Sequence, residues 1–323
     1  AYATASASRE LGLRGPAPDV VALMLDKGRL RQALSETLGG AHDFAVAASA
    51  EATMAAAKRL RSPWVVKPLV GDKCRGVSFI AHAEDMPLGY KRASAQSAGP
   101  GVLVEEYVQG DEFVLDGVVC GGALHALCVS MRMRPAPPML HDLGMLAPVV
   151  QSVAEPVNEY AQCVVRALGY DDGPVRLELV HSGEGFHVIE ASPCVCGGRL
   201  ETDLARVTSG MGAIEATLSM GAGADWSLPA SRKQAAALLW MPARSGVVEE
   251  IRGLDEARAI EGIADVEVNA APGDWIGHLA IRHSHERIGY VLAAGTTSEE
   301  ALAAAREALK RCEAVTRATI SAG

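Results

Sequence analysis

Three stretches, residues 101–108, 111–120 and 123–131, read as consecutive strands, and the turn Cys120-Gly121-Gly122 leaves room for nothing but a hairpin between the last two. A second pair, 174–181 and 186–191, is joined by Ser182-Gly183-Glu184-Gly185. Strands joined this tightly run antiparallel. Helical patterns lie around them, at 20–25, 26–38, 50–61, 83–95, 151–168 and about 199–220. The fold class is therefore α/β in the mixed, α+β sense.

Local signals fix several ends. Asp19, after Pro18, is expected to cap the helix Val20 to Leu25, and Asp26 the next one, whose apolar face is Leu30, Ala33, Leu34 and Leu38. Gly39-Gly40 would end it. A short strand is expected near Phe44–Val46 and a strong one at Trp64–Pro68, followed by a loop and the strand VSFIA. Residues 132–150, with four prolines, read as one long ordered loop. After the linker-like stretch Gly221–Pro229, strands and helices alternate again. The last helix carries a Thr297/Glu300 capping box and a stripe of Leu302, Ala305 and Leu309.

Composition removes whole classes of function. At 323 residues the chain holds two or three packed units. A composition 49% hydrophobic and 21% charged is that of a globular protein. With 30 Lys+Arg against 39 Asp+Glu, the net charge of −9 gives no basic surface for nucleic acid. No apolar run approaches the ~20 residues that span a bilayer, so no membrane partner is expected. Seven scattered cysteines show no disulfide framework and AYATASASRE is no secretory signal, which makes a reducing cytoplasm the expected location.

Chemistry concentrates in three places. Arg176-Leu177-Glu178 lies on one strand and Glu190-Ala191-Ser192 ends the next, so alternation points Arg176 together with Glu178, and Glu190 together with Ser192; if both pairs face one cleft, the two carboxylates sit side by side. Two ionised carboxylates side by side favour a bound cation, and oxygen ligands suit Mg²⁺. A solvated hairpin edge is the other reading. Lys67 ends an apolar strand before the loop Gly71-Asp72-Lys73-Cys74-Arg75-Gly76, whose backbone N–H groups could cradle phosphates. The alternative is a surface loop with two incidental cations. The strand Glu105-Glu106-Tyr107-Val108 offers its backbone to a purine edge, with Glu112 placed for ribose hydroxyls; an acidic strand turn is the alternative. In the long loop, His141 is a candidate substrate contact, and Asp142 could read a substrate ammonium. Cys194-x-Cys196 and the histidines 278, 283 and 285 lack the partners of a metal site.

The order of these pieces is more specific than any one of them. DKGRLRQAL, PWVVKPLVGDKCRGV, VLVEEYVQGDEF, GPVRLELV and VIEASPCVCGG, spanning residues 26–198, together resemble the ATP-grasp superfamily. The stretches LWMPARSGVVEEIRGLDEARAIEGIADVEVNAAPGDWI and RIGYVLAAGTTSEEALAAAREAL resemble the C-terminal module of its L-amino acid ligase branch. The resemblance implies two α+β subdomains gripping ATP between antiparallel sheets: a remnant of an N-terminal domain with linker helices at 1–40, a small lid subdomain at 41–108, a large subdomain with the metal site at 109–222, and the C-terminal module at 223–323. It also implies an ADP-forming carboxylate–amine ligase that joins amino acids through an acyl phosphate.

Residue by residue, the resemblance assigns Lys27 and Lys67 to ATP phosphates, with Lys73, Cys74, Arg75 and Gly76 folding over them. Glu105, Glu106, Tyr107 and Val108 would hold adenine, and Glu112 the ribose. Glu178, Glu190 and Ser192 would bind Mg²⁺ or Mn²⁺. Arg176 would stand beside the acyl phosphate, and His141, Asp142, Gly197 and Gly198 would face the amino acid substrates. Two departures stand out. The usual E-x-N-P-R reads Glu190-Ala191-Ser192-Pro193-Cys194, which loses an Asn and a guanidinium that Arg199 could replace. Of the family's N-terminal domain of roughly a hundred residues, the resemblance extends only to its exit, RELGLRGPAPDVVALMLDK, and so implies a separate N-terminal domain or chain as a partner, alongside a second copy in a homodimer. These departures support an alternative, a degenerate subunit that binds nucleotide or a partner without catalysis. A third reading changes the acceptor to bicarbonate or ammonia.

Overall fold

A computed structural model describes residues 1–38, 42–71, 74–195, 199–223, 234–277 and 287–318. The chain opens with α1 (Tyr2–Glu10), α2 (Pro18–Leu25) and α3 (Lys27–Leu38), then β1 (Phe44–Ala47), α4 (Ala50–Ala57), β2 (Trp64–Pro68), β3 (Ser78–Ile80), α5 (Met86–Ser94) and β4 (Val102–Glu106). The middle holds β5 (Asp111–Cys120), β6 (Ala123–Met133), β7 (Gly144–Ala147), α6 (Gln151–Leu168), β8 (Asp172–Ser182), β9 (Gly185–Ser192), α7 (Arg199–Ser209) and α8 (Ala213–Gly221). The last third adds β10 (Ala235–Trp240), β11 (Gly246–Arg252), α9 (Leu254–Arg258), β12 (Ile263–Val268), β13 (Trp275–Ile276), β14 (Gly289–Gly295), α10 (Ser298–Arg311) and β15 (Glu313–Arg317).

Two antiparallel sheets carry the architecture. The smaller has strand order β1-β4-β2-β3 and packs α4 and α5 over Trp64, Val66, Ile80, Met86 and Val104. The larger runs β12-β14-β10-β7-β6-β5-β8-β9, so strands from the C-terminal third extend the sheet begun at residue 111. A third, small sheet orders β13-β11-β15.

Alternation along β5 and β8 explains how the large sheet serves both a core and a site. Phe113, Leu115, Leu177 and Leu179 point to one face and pack under α2, α3 and α6. Leu115, Leu177 and Leu179 are fully buried, each contributing roughly 1.5–3 kcal/mol. On α6, Val157, Ala161, Val164, Val165 and Leu168 form the matching stripe, and Gly169, at φ 63°, ends the helix in the left-handed conformation that favours glycine. Even-numbered residues face the other way. There Val114 and Val118 pack beneath α7 and α8, whereas Glu112, Asp116, Arg176 and Glu178 bring charge to that face.

The structure matches the sequence at several ends and departs at others. The Asp26 carboxylate accepts from Gly28 N at 2.9 Å and Arg29 N at 3.0 Å, capping α3. Asp19 is no cap, because Pro18 already stands at the first helical position and Asp19 falls inside the first turn. Residues 132–150 are not one loop: β7 lies between β6 and β10, and its β10 partner lies some ninety residues on, beyond any local signal. Residues 199–221 split at Gly210 into two helices. Thr297 caps α10 by accepting from Glu300 N at 3.2 Å, but the Glu300 carboxylate takes Thr296 N at 2.9 Å, so the box closes one residue early. The buried stripe of α10 is Ala301, Ala305 and Ala308, small enough for the helix to lie close on the sheet, with Leu302 and Leu309 at its margins. Gly39-Gly40 lies outside the described residues.

Candidate active site

The cleft forms where the end of β2 and β4 meets the charged face of β5, β8 and β9. In the β2/β4 register Val65 opposes Glu105, which puts Lys67 diagonally beside Glu105 on one face. The Lys67 ammonium and Glu105 Oε1 are in direct contact. The other carboxylate oxygen of Glu105 takes Arg31 Nε at 2.9 Å and His42 Nε2 at 2.9 Å, and Arg31 also donates to the Ile189 carbonyl at 2.7 Å. All four side chains are buried. Burial alone would raise the Glu105 carboxyl, but Arg31, Lys67 and the His42 hydrogen bond outweigh it and hold it well below the ordinary carboxylate range. Burial pushes the Lys67 ammonium down, and Glu105 opposes that shift.

Lys27 opens α3, four residues before Arg31, so one helix face delivers both cations. Its ammonium donates to the Gly71 carbonyl at 2.8 Å and lies 3.5 Å from Glu190 Oε2. The facing sheet carries the acids. Glu178 opposes Glu190 directly across β8/β9, and Arg176 opposes Ser192. Arg132 clasps Glu178 through two hydrogen bonds, 2.8 and 2.7 Å, and lies 3.5 Å from Glu112, which Arg134 meets at 3.0 Å. Burial would raise Glu178, but Arg132 and Arg176 hold it below the carboxylate range. Glu112 is shifted the other way, because burial dominates over its Arg134 and Arg132 partners. Arg176 Nη1 donates to both carboxylate oxygens of Asp116, at 3.0 and 3.1 Å, and the guanidinium sits 3.5 Å from Glu178.

One cleft joins these walls. Of the residues singled out from the sequence, Lys27, Lys67, Cys74, Arg75, Glu105, Glu106, Tyr107, Val108, Glu112, Glu178 and Glu190 all line it. Ser192 stays beside it, its hydroxyl donating to Glu190 Oε1 at 3.4 Å. Gly76 and His141 line an adjoining groove between α5 and the loop after β6. Asp142 is bound instead by Arg287 and by Trp240 Nε1 at 3.1 Å, with the Arg287 guanidinium stacked 3.7 Å over the Trp240 ring. Lys73, Gly197 and Gly198 lie outside the described residues, as does Cys196, and nothing is described of the Arg199 side chain. Histidines 278, 283 and 285 also fall outside them.

Sequence reasoning missed Arg31, His42, Arg132 and Arg134 in this site. Two signals were available: the four-residue spacing of Lys27 and Arg31 on a helix, and the alternation Arg132-x-Arg134 at the end of a strand, which puts both on one face. His42 had none, since only tertiary packing brings it to Glu105.

The residues present fit a divalent cation bound together with phosphates. Among the described residues no group of three or more His, Cys, Asp or Glu could hold a metal alone. Two opposed carboxylates and a hydroxyl nevertheless match the incomplete protein shell that Mg²⁺ takes when substrate phosphates complete it.

Comparison with known proteins agrees with this geometry. The ATP-grasp domain family matches residues 60–203. The chain carries an ATP-grasp domain. Residues 239–317 match L-amino acid ligase C-terminal domain 2, so both modules recognised in the sequence are present. An uncharacterized protein, y4rH, of Sinorhizobium fredii is 28% identical over 302 residues, covering 91% of this chain and 61% of that protein. The L-arginine-specific L-amino acid ligase of Bacillus subtilis is 24% identical over 280 residues, covering 82% of this chain and 66% of that enzyme. The chain thus spans less than two thirds of either relative. Among solved structures, an L-amino acid ligase from Bacillus licheniformis superposes with a TM-score of 0.83 at 19% identity, covering 98% of this chain and 78% of that one. The biotin carboxylase domain of the Hydrogenobacter thermophilus 2-oxoglutarate carboxylase, solved with MgADP and bicarbonate, reaches 0.71 at 18% identity, covering 97% and 72%. These likenesses establish the ATP-grasp fold. No helix among the described residues is long and apolar enough to cross a membrane.

Proposed function

We propose that this ATP-grasp cleft serves an ATP- and Mg²⁺-dependent carboxylate–amine ligase acting on amino acids. The observation that carries the reading is the pairing of walls: Lys67 and Lys27 on one side of a single cleft, Glu178 and Glu190 opposed on the other. Phosphate-sized anions and a divalent cation are what such walls hold together.

In this reading Lys27, Lys67 and Arg75 neutralise the phosphates of ATP, and Glu105 keeps the Lys67 ammonium aimed and charged although it is buried. Tyr107 and Val108 border the base, and Glu112 the ribose. Glu178 and Glu190 hold Mg²⁺, with Ser192 beside them; the metal would supply charge neutralisation at the phosphates. A carboxylate oxygen of the acid substrate attacks the γ-phosphorus, the bond to the β-phosphate oxygen breaks, and ADP leaves. The amine then attacks the acyl carbon, phosphate departs with the bonding electrons, and the amine loses a proton. Positioning and fixed charge supply most of the catalysis. Arg176, bound to Asp116 and 3.5 Å from Glu178, helps orient the Glu178 carboxylate at the edge of the metal face.

One observation favours the second reading, a nucleotide-binding subunit without turnover: Ser192-Pro193-Cys194 supplies neither the amide nor the guanidinium of the usual motif. One assay separates the two. ADP release is measured with MgATP and a panel of amino acids, singly and in pairs, with Glu190→Ala as control. Release that needs two amino acids and disappears in the variant is the expected result. Release that persists in Glu190→Ala contradicts the metal assignment, and nucleotide binding without release under any pair favours the second reading. The panel includes L-arginine, on which the Bacillus subtilis relative is specific, and bicarbonate as an alternative acceptor.

A further inference from the structure

The metal face carries its own cations. Glu112, Glu178 and Glu190 are matched by Arg134, Arg132 and Lys27, at 3.0, 2.7 and 3.5 Å, and Arg176 is balanced by Asp116. Both oxygens of Glu178 are committed to one buried guanidinium in the planar fork-to-fork geometry that binds carboxylate best. A divalent ion approaching by itself meets no net negative charge, and Mg²⁺ sheds water reluctantly.

Lys27 links this face to the nucleotide side. Its ammonium touches both Glu190 and the carbonyl of Gly71, in the loop that follows β2, within the same cleft that Lys67 enters. Phosphates placed between the walls would compete with Glu190 for that ammonium.

Resting on the nucleotide-site reading above, we propose that Arg132 and Lys27 are resident counter-ions of the metal carboxylates. They hold Glu178 and Glu190 before nucleotide enters and keep a lone divalent cation out; Glu190 is released when phosphates draw Lys27 away and bring the metal with them, while Arg132 remains on Glu178. Arg132 is a positioning residue: it stays behind Glu178, sets the plane of its carboxylate and tempers its charge. Metal and nucleotide binding are therefore coupled through two ion pairs of this chain.

Mn²⁺ serves as the probe, followed by its electron paramagnetic resonance signal without and with ADP. The native chain binds Mn²⁺ alone weakly, and ADP tightens it by at least about tenfold, the scale of one extra charge at contact distance in a wet site. Arg132→Gln keeps a hydrogen-bonding group but removes the charge, so it binds Mn²⁺ alone about tenfold more tightly and shows a correspondingly smaller ADP effect. Arg132→Lys retains the charge and stays near the native value. If Arg132→Gln is not folded by circular dichroism, Lys27→Gln makes the same measurement on Glu190 without ADP, with tightening in the same direction. Mn²⁺ affinity within twofold of native in the charge-removing variant overturns the counter-ion assignment. Failure of ADP to affect Mn²⁺ binding in the native chain overturns the nucleotide-site reading instead, and the coupling falls with it.

Discussion

The two walls of the cleft solve the same electrostatic problem differently. On the β2/β4 wall one carboxylate, Glu105, is shared by Lys67, Arg31 and His42, all deeply buried, with Glu105 only 6% exposed. On the β8/β9 wall the carboxylates are spread over several cations, Glu178 on Arg132 and Arg176 and Glu190 on Lys27, and are more exposed, Glu178 at 22% and Glu190 at 32%. The first wall has more cation than acid and is locked by burial. The second is balanced and more exposed. The proposed function, which grips anions and admits a cation beside them, calls for both arrangements.

The largest expected effect tests the locked wall. Glu105→Gln leaves Lys67 and Arg31 buried without their carboxylate and should cost about 3–5 kcal/mol in denaturant unfolding, whereas Glu178→Gln, whose amide oxygen still accepts from Arg132, should cost about 1–2 kcal/mol. Equal costs would erase the contrast between the walls.

The pH dependence sharpens it. The depressed Glu105 and Glu178 carboxyls add stability that is fully present above the unfolded value near ~4.3 and is lost as pH falls through their folded values. Glu112 has the opposite sign: raised by burial, its contribution is present below ~4.3 and lost as pH rises through its folded value. Unfolding free energies measured between acid and neutral pH should therefore show Glu105→Gln becoming more destabilising as pH rises, and Glu112→Gln becoming less so. Parallel pH profiles for the two variants would contradict these shifts.

Much of this division was legible in the sequence, for identifiable reasons. Period-two alternation put Arg176 with Glu178 and Glu190 with Ser192, because strand geometry is local; the β8/β9 register then sets Glu178 opposite Glu190. The start of α3 followed from the Asp26 cap for the same reason. The strand β7 and the role of His42 were not legible, since each depends on a partner far along the chain. Asp142 read as a partner for a substrate ammonium, whereas in the structure Arg287 and Trp240, from the C-terminal third, bind it. Charge balance is likewise a tertiary property. Arg132 is an ordinary strand arginine until β5 and β8 set it against Glu178.

Two smaller tests bound the comparison from outside. Gly110 sits where β5 leaves the junction between the walls, and a Cβ there would stand 2.0 Å from the His181 carbonyl oxygen. Gly110→Ala should force the backbone aside at about 1–3 kcal/mol, read by thermal unfolding, and disturb Glu112 more than Glu105. Ser49 caps α4, accepting from Ala52 N at 3.1 Å, away from both walls. Ser49→Ala should lower stability by about 1 kcal/mol and leave nucleotide affinity untouched. A change in nucleotide affinity there would mean that the small sheet is less rigid than its burial indicates.

The most direct measurement is equilibrium binding of a non-hydrolysable ATP analogue with Mg²⁺ to the native chain, Lys67→Met and Ser49→Ala. The account predicts binding to the native chain, unchanged affinity in Ser49→Ala, and a loss of at least about tenfold in Lys67→Met, the worth of one charge-assisted contact. No binding to the native chain, or native affinity in Lys67→Met, would contradict the assignment of this cleft to nucleotide.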